Sequence, residues 1–210
     1  MNPVRSPWVN FIKFSEEELI DLLWAWAAIS FAFAVVLCGG IEGLRSGAGR
    51  EFPSKLILAA ITVGVAFLLH EISHKFVAQK YGCWAEFRRF DFGLILAVGL
   101  SFFGWIIAAP GAVMISGPIS REQNGKISAA GPLTNIILAG LFFLLGISLT
   151  KFGLFTPLLQ NIVGFGISIN AWLALFNMIP IPPLDGSKVI GWSVPAWIGI
   201  AGVAVFILFM

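Results

Sequence analysis

Apolar residues in this chain come in long runs separated by short polar stretches, not in the strict alternation of a half-buried sheet. The runs cover about Leu22–Cys38, a stretch from near Lys55 to about Lys80, residues 93–117, and then about Ile127–Leu149, Leu159–Ile179 and Trp192–Met210. Roughly 20 apolar residues are what a helix needs to cross a hydrocarbon layer of about 30 Å. Between the first two runs, the glycine-rich segment from Gly39 to Ser54 carries Glu42, Arg45, Glu51 and Pro53 and reads as an aqueous loop. Trp84–Phe92 is aromatic-rich and partly alternating, which predicts a strand. The run at 93–117 is apolar enough to cross, yet Gly99, Gly104, Pro110 and Gly111 interrupt it. Before the first run, Phe11, Ile12 and Phe14 predict an arm lying at the membrane interface.

Composition supports the same picture. Hydrophobic residues make up 58% of the 210 and charged residues 11%, too few to clothe a soluble domain. The expectation is an all-α polytopic membrane protein forming one domain over residues 1–210, with about five crossings. A net charge of +2, with no run of like charge longer than Glu16-Glu17-Glu18, argues against a nucleic-acid partner. That acidic triplet reads as a solvated helix start after Ser15. Cys38 and Cys83 have neither metal nor redox spacing. The first run follows mostly polar residues with no clear small-residue cleavage site, which predicts a retained span.

The chemistry sits inside the second run, at His70-Glu71-Ile72-Ser73-His74. On a helix, histidines four apart lie one above the other, so two imidazoles can grip one metal ion while Glu71 takes a proton from an attacking water. The competing reading is a pair of core histidines with hydrogen-bond partners, set against the cost of burying each polar group at that depth. A catalytic zinc ordinarily takes three protein ligands. With no third histidine, carboxylates lead, and Asp185 stands out after Pro180, Pro182 and Pro183, which break any helix there. Irregular backbone at membrane depth is tolerated where it lines a wet cavity. In the other reading, Asp185 caps the segment that follows.

If Asp185 meets the histidines, an even number of crossings separates them. The runs at 127–149 and 159–179 supply two, so 93–117 is expected to enter and return. The distribution of Lys and Arg agrees: with that segment re-entrant, nine lie on the N-terminal side and four opposite, whereas a crossing gives seven against six.

Three motifs then coincide in order: HEISH, Ala129–Asn135 (AAGPLTN) and Asn177–Gly186 (NMIPIPPLDG). Together they resemble the site-2 protease family of intramembrane zinc metalloproteases, over a core of about 55–190. The resemblance implies that His70, His74 and Asp185 ligate Zn2+ and that Glu71 is the general base. It implies that Asn177 sits near the metal and holds the substrate carbonyl or its oxyanion, and that Asn135 has a polar role in the cleft. It also implies a membrane-inserted hairpin between the first two motifs, matching a re-entrant, β-hairpin-like segment at about 84–117. Ser187 stands where a second glycine is usual, and no PDZ or CBS module is seen.

The implied partners are the lipid bilayer and membrane proteins with a transmembrane helix; the oligomeric state is left open. The implied location is the plasma membrane of a prokaryote, multi-pass, with the site near the cytoplasmic face. Two other classes fit the residues: a divalent-cation transporter with transient ligands on an ion path, and a membrane zinc hydrolase of non-peptide bonds.

Overall fold

A computed structural model describes residues 12–106 and 109–210. Of the predicted interfacial arm, Phe11 and the residues before it lie outside the described residues. The chain folds as α1 (Glu16–Leu37), α2 (Gly40–Arg45), a 3-10 turn at Gly47–Glu51, α3 (Phe52–Ala59), a π turn at Ala60–Gly64 and α4 (Val65–Lys80). Then come β1 (Trp84–Arg89), α5 (Asp91–Ser101), β2 (Gly111–Ser116), α6 (Arg121–Lys151), α7 (Pro157–Asn177), α8 (Asp185–Trp192) and α9 (Val194–Phe209).

Among the described residues, four helices are long and apolar enough to cross a membrane: α1, the continuous stretch Gly47–Lys80, α6 and α7. The 16-residue α9 is apolar but shorter. Local signals explain where they begin. The Ser15 side chain caps α1, Ser120 and Gln123 form a reciprocal capping box on α6, and Thr156 followed by Pro157 opens α7. Ile137, Leu141 and Leu144 make an exposed apolar stripe on α6, as a lipid-facing helix requires.

The segment from Gly39 to Ser54 departs from the expected loop. It holds α2 and the 3-10 turn, and the second long helix begins at Phe52 with Pro53 in its first turn. Proline is tolerated there because the first helical N–H groups have no intrahelical partner. Within that helix, the π turn leaves the Ala60 carbonyl to accept a bond from the Trp26 indole N–H at 3.1 Å.

The two strands pair antiparallel, Trp84 opposite Ser116 and Arg89 opposite Gly111. Both ends of the intervening segment therefore lie side by side, and the chain goes out and comes back. It is more than a hairpin, because α5 fills the outward leg. At 11 residues, α5 is about 16 Å long, too short to cross. Its tip nevertheless reaches past the end of α1, where the Phe102 carbonyl accepts the Ile41 N–H at 2.7 Å. The largest core cluster binds this insertion to the helices: Leu22, Ala25 and Ile29 of α1 pack with Val63, Phe67, Phe87, Leu94 and Ile169.

Candidate metal centre

His70 and His74 lie on the buried face of α4, and Asp185 is the first residue of α8. Their ligating atoms gather within 4.8 Å of one another. The Asp185 Oδ2 lies 3.2 Å from His70 Nε2 and 3.1 Å from His74 Nε2. Bonds of 2.0–2.1 Å to a tetrahedral zinc imply ligand atoms about 3.3 Å apart, so both Asp185–imidazole separations fit.

Asp185 arrives there through contacts in the turn after α7. A Cβ on Gly186 would fall 2.2 Å from the Met178 carbonyl oxygen, so only glycine lets the start of α8 pack against the end of α7. The same carbonyl accepts the Trp197 indole N–H from α9 at 2.6 Å.

A chain of hydrogen bonds fixes the proton on each imidazole. The Gly166 carbonyl can only accept, so the Asn170 amide nitrogen faces it at 2.9 Å and turns Oδ1 toward Asn135. Asn135 donates to that oxygen at 3.1 Å and to the Ala66 carbonyl at 3.3 Å, which leaves its own Oδ1 for His70. His70 Nδ1–H therefore donates to Asn135 at 2.6 Å, and His74 Nδ1–H donates to the Ile127 carbonyl at 2.8 Å. In the neutral rings both Nε2 lone pairs then point at the Asp185 oxygen. Only a positive charge between them, a proton or a metal ion, makes that approach favourable. Burial opposes ionisation of Asp185, but the charge of His74 and hydrogen bonds to both histidines outweigh it and hold the carboxyl well below the usual range.

Space for the ion comes from Gly131 on α6. A Cβ there would lie 2.5 Å from both Nε2 atoms. The next residue, Pro132, is buried inside the same helix.

Glu71 is half-buried beside the triad, on the side of α4 that packs against β2 near the Val113 backbone. Asn177, the last residue of α7, donates to the Leu173 carbonyl at 3.0 Å. Among the described residues no hydrogen bond links Asn177 to the triad. The structure thus brings together His70, His74, Asp185 and Asn135, and adds Asn170 and Gly131. The signal for Asn170 was an amide in the middle of the apolar run that also carries Asn177; for Gly131, only its place in AAGPLTN.

The acidic triplet does not behave as expected throughout. Glu16 and Glu17 are exposed, but Glu18 is fully buried, paired with Lys75. Lys75 is consequently not one of the free positive charges on the N-terminal side.

The chain is 41% identical over 197 residues to MJ0611 of Methanocaldococcus jannaschii, covering 90% of this chain and 91% of that protein. It is 33% identical over 154 residues to YwhC of Bacillus subtilis, covering 64% and 68% respectively. Rip3 of Mycobacterium tuberculosis is 31% identical over 199 residues, which span 88% of this chain and 43% of Rip3. All three names assign their proteins to the zinc metalloproteases. No family model matches the chain, and no solved structure does.

Proposed function

The chain belongs to the zinc metalloprotease family that these relatives represent, with Zn2+ as its cofactor, and from that premise we propose that it is an intramembrane peptidase of site-2 type. One observation carries the reading: two histidines and an aspartate converge, with zinc-like spacing, on a helix long and apolar enough to cross a membrane. Its substrates are membrane proteins with a transmembrane helix. Its place is the plasma membrane of a prokaryote, with the site near the cytoplasmic face.

His70, His74 and Asp185 hold the metal. Zinc, when bound, supplies Lewis acidity that brings the pKa of water from 15.7 toward ~7 and polarises a carbonyl. Glu71 takes the proton of the attacking water and returns one to the departing amine. The β2 backbone at Val113 borders the Glu71 carboxylate, and Asn135 holds the His70 ring. Asn177 lies at the end of α7, ahead of the loop that carries Asp185, and its role is to hold the substrate carbonyl or its oxyanion. A substrate helix must unwind before its peptide bonds can react, and the open edge of β2 offers backbone partners for the extended stretch.

The topology has five crossings, α9 included, with the 84–117 segment re-entrant. The antiparallel strands support this, and so does the bias of Lys and Arg, eight against four once buried Lys75 is set aside. Labelling a cysteine placed at Gln123 from either side of the membrane tests it: reaction from the cytoplasm is expected, and reaction from outside overturns the topology.

The activity is tested by comparing the wild type with Glu71→Gln for bound zinc and for cutting of a single-span test protein in liposomes. Cleavage by the wild type and a zinc-loaded, inactive variant are expected. Zinc flux into sealed vesicles without cleavage would favour a transporter, and hydrolysis confined to lipid or other non-peptide bonds would point to a different hydrolase.

A further inference from the structure

Lys75 follows His74 directly, yet its side chain points away from the triad and is 1% exposed. Its Nζ pairs with Oε2 of the fully buried Glu18 and lies 4.3 Å from the centroid of the Phe14 ring. The other Glu18 oxygen, Oε1, accepts the backbone N–H of Phe87 at 2.9 Å. One carboxylate on α1 thus holds both the helix that bears the histidines and strand β1. Stability alone is a poor reason for such a pair, since well-packed apolar residues in its place are often as stable or more so.

Strand geometry gives a better reason. Phe87 sits opposite Val113 in the ladder. Because the Phe87 N–H goes to Glu18 and not to β2, this pair is of the non-hydrogen-bonded kind, and both residues turn their backbone groups outward. For Val113, outward is toward α4, which packs against β2 and carries Glu71 beside the Val113 backbone. Ile115, two residues on, faces the same way. The bond that Glu18 takes from β1 therefore goes with a fixed choice of which β2 groups face the catalytic helix.

We propose that Glu18, with Lys75, is a positioning residue that clamps the strand pair to α4 so that the open edge of β2 meets Glu71 in one register, and thereby fixes which peptide bond of an edge-bound substrate is cut. The inference rests on the peptidase reading and deepens it. A one-residue slip along the edge would reverse every backbone group, so loss of the clamp reads out as altered cleavage position.

Two double variants separate the clamp from mere packing. E18L/K75M removes both charges and the acceptor for Phe87, whereas E18Q/K75M removes the charges and keeps an acceptor. Cleavage products are mapped by mass spectrometry, KM and kcat are measured, and hydrogen exchange is followed over residues 84–89, 111–116 and 65–80, with zinc content alongside. E18L/K75M is expected to cut at additional neighbouring bonds with a raised KM. Its strands should exchange roughly 2- to 12-fold faster, the equivalent of one net hydrogen bond. Exchange in α4 and bound zinc should be unchanged, and E18Q/K75M should return the wild-type pattern. Wild-type exchange in the strands, or a single unshifted cut with unchanged KM in E18L/K75M, would overturn the clamp. If the wild type cuts no membrane peptide, the peptidase reading fails by itself. Strand exchange then still decides the clamp: faster exchange supports it and unchanged exchange removes it.

Discussion

His74 and Lys75 are neighbours on one helix, both buried, and each belongs to a cluster of polar groups in an apolar interior, but the clusters are built to opposite ends. In the first, three ligating atoms point at one another across a space that Gly131 keeps free, with every other polar atom of the rings already bonded. In the second, Glu18 and Lys75 satisfy one another, and the spare carboxylate oxygen is taken by the Phe87 N–H. Burial and charge do not distinguish a reactive site from a strut. What distinguishes them is whether the polar groups still need an outside partner.

That contrast can be broken by substitution, most sharply at Gly131. Gly131→Ala puts a methyl between the two Nε2 atoms and is expected to abolish stoichiometric zinc binding, and cleavage with it, while the helices stay folded; metal analysis and circular dichroism measure both. Wild-type zinc content in this variant would mean that the ion sits elsewhere. Glu71→Gln is next: cleavage should fall by about 10²–10⁴-fold, the range for a general base, with zinc retained.

The strut responds differently. Lys75→Met leaves Glu18 charged and alone and should destabilise the protein by about 3–5 kcal/mol in denaturation in mild detergent, whereas E18Q/K75M should stay near wild type. Equal losses in the two would show that the pair itself is a source of stability. The smallest effect belongs to Asn135→Leu, which removes the acceptor for His70 Nδ1–H; zinc affinity, read by chelator competition, is expected to weaken about 10–100-fold. No change would detach Asn135 from the metal centre and leave it a packing residue.

Much of this could be read along the chain. The four-residue spacing of His70 and His74, the proline-rich approach to Asp185 and the apolar runs behind α1, α4, α6 and α7 are local patterns, and those helices obey them, whereas the last run yields only the shorter α9. The outcomes that escaped it are non-local. Glu18 looked like the third member of a solvated acidic helix start, and Ser15 does cap that helix, but its side chain is claimed by residues 57 and 69 positions away. Asn170 and Gly131 matter because α6 and α7 press against α4, which no periodicity announces. Within 84–117, glycines and a proline made the breaks legible, while α5 was hidden in a run equally suited to strand, loop or helix.

The sequence by itself determined that this chain belongs among apolar helices and that one helical face carries two imidazoles, because helix periodicity and the cost of burying charge act residue by residue. The tertiary structure brought Asp185, which the sequence already singled out, to the two imidazoles, and it alone made a strut of Glu18. Asp185 and Glu18 are both buried acids, and their roles follow from what packing sets within hydrogen-bonding distance: two imidazoles for one, an ammonium and a strand amide for the other.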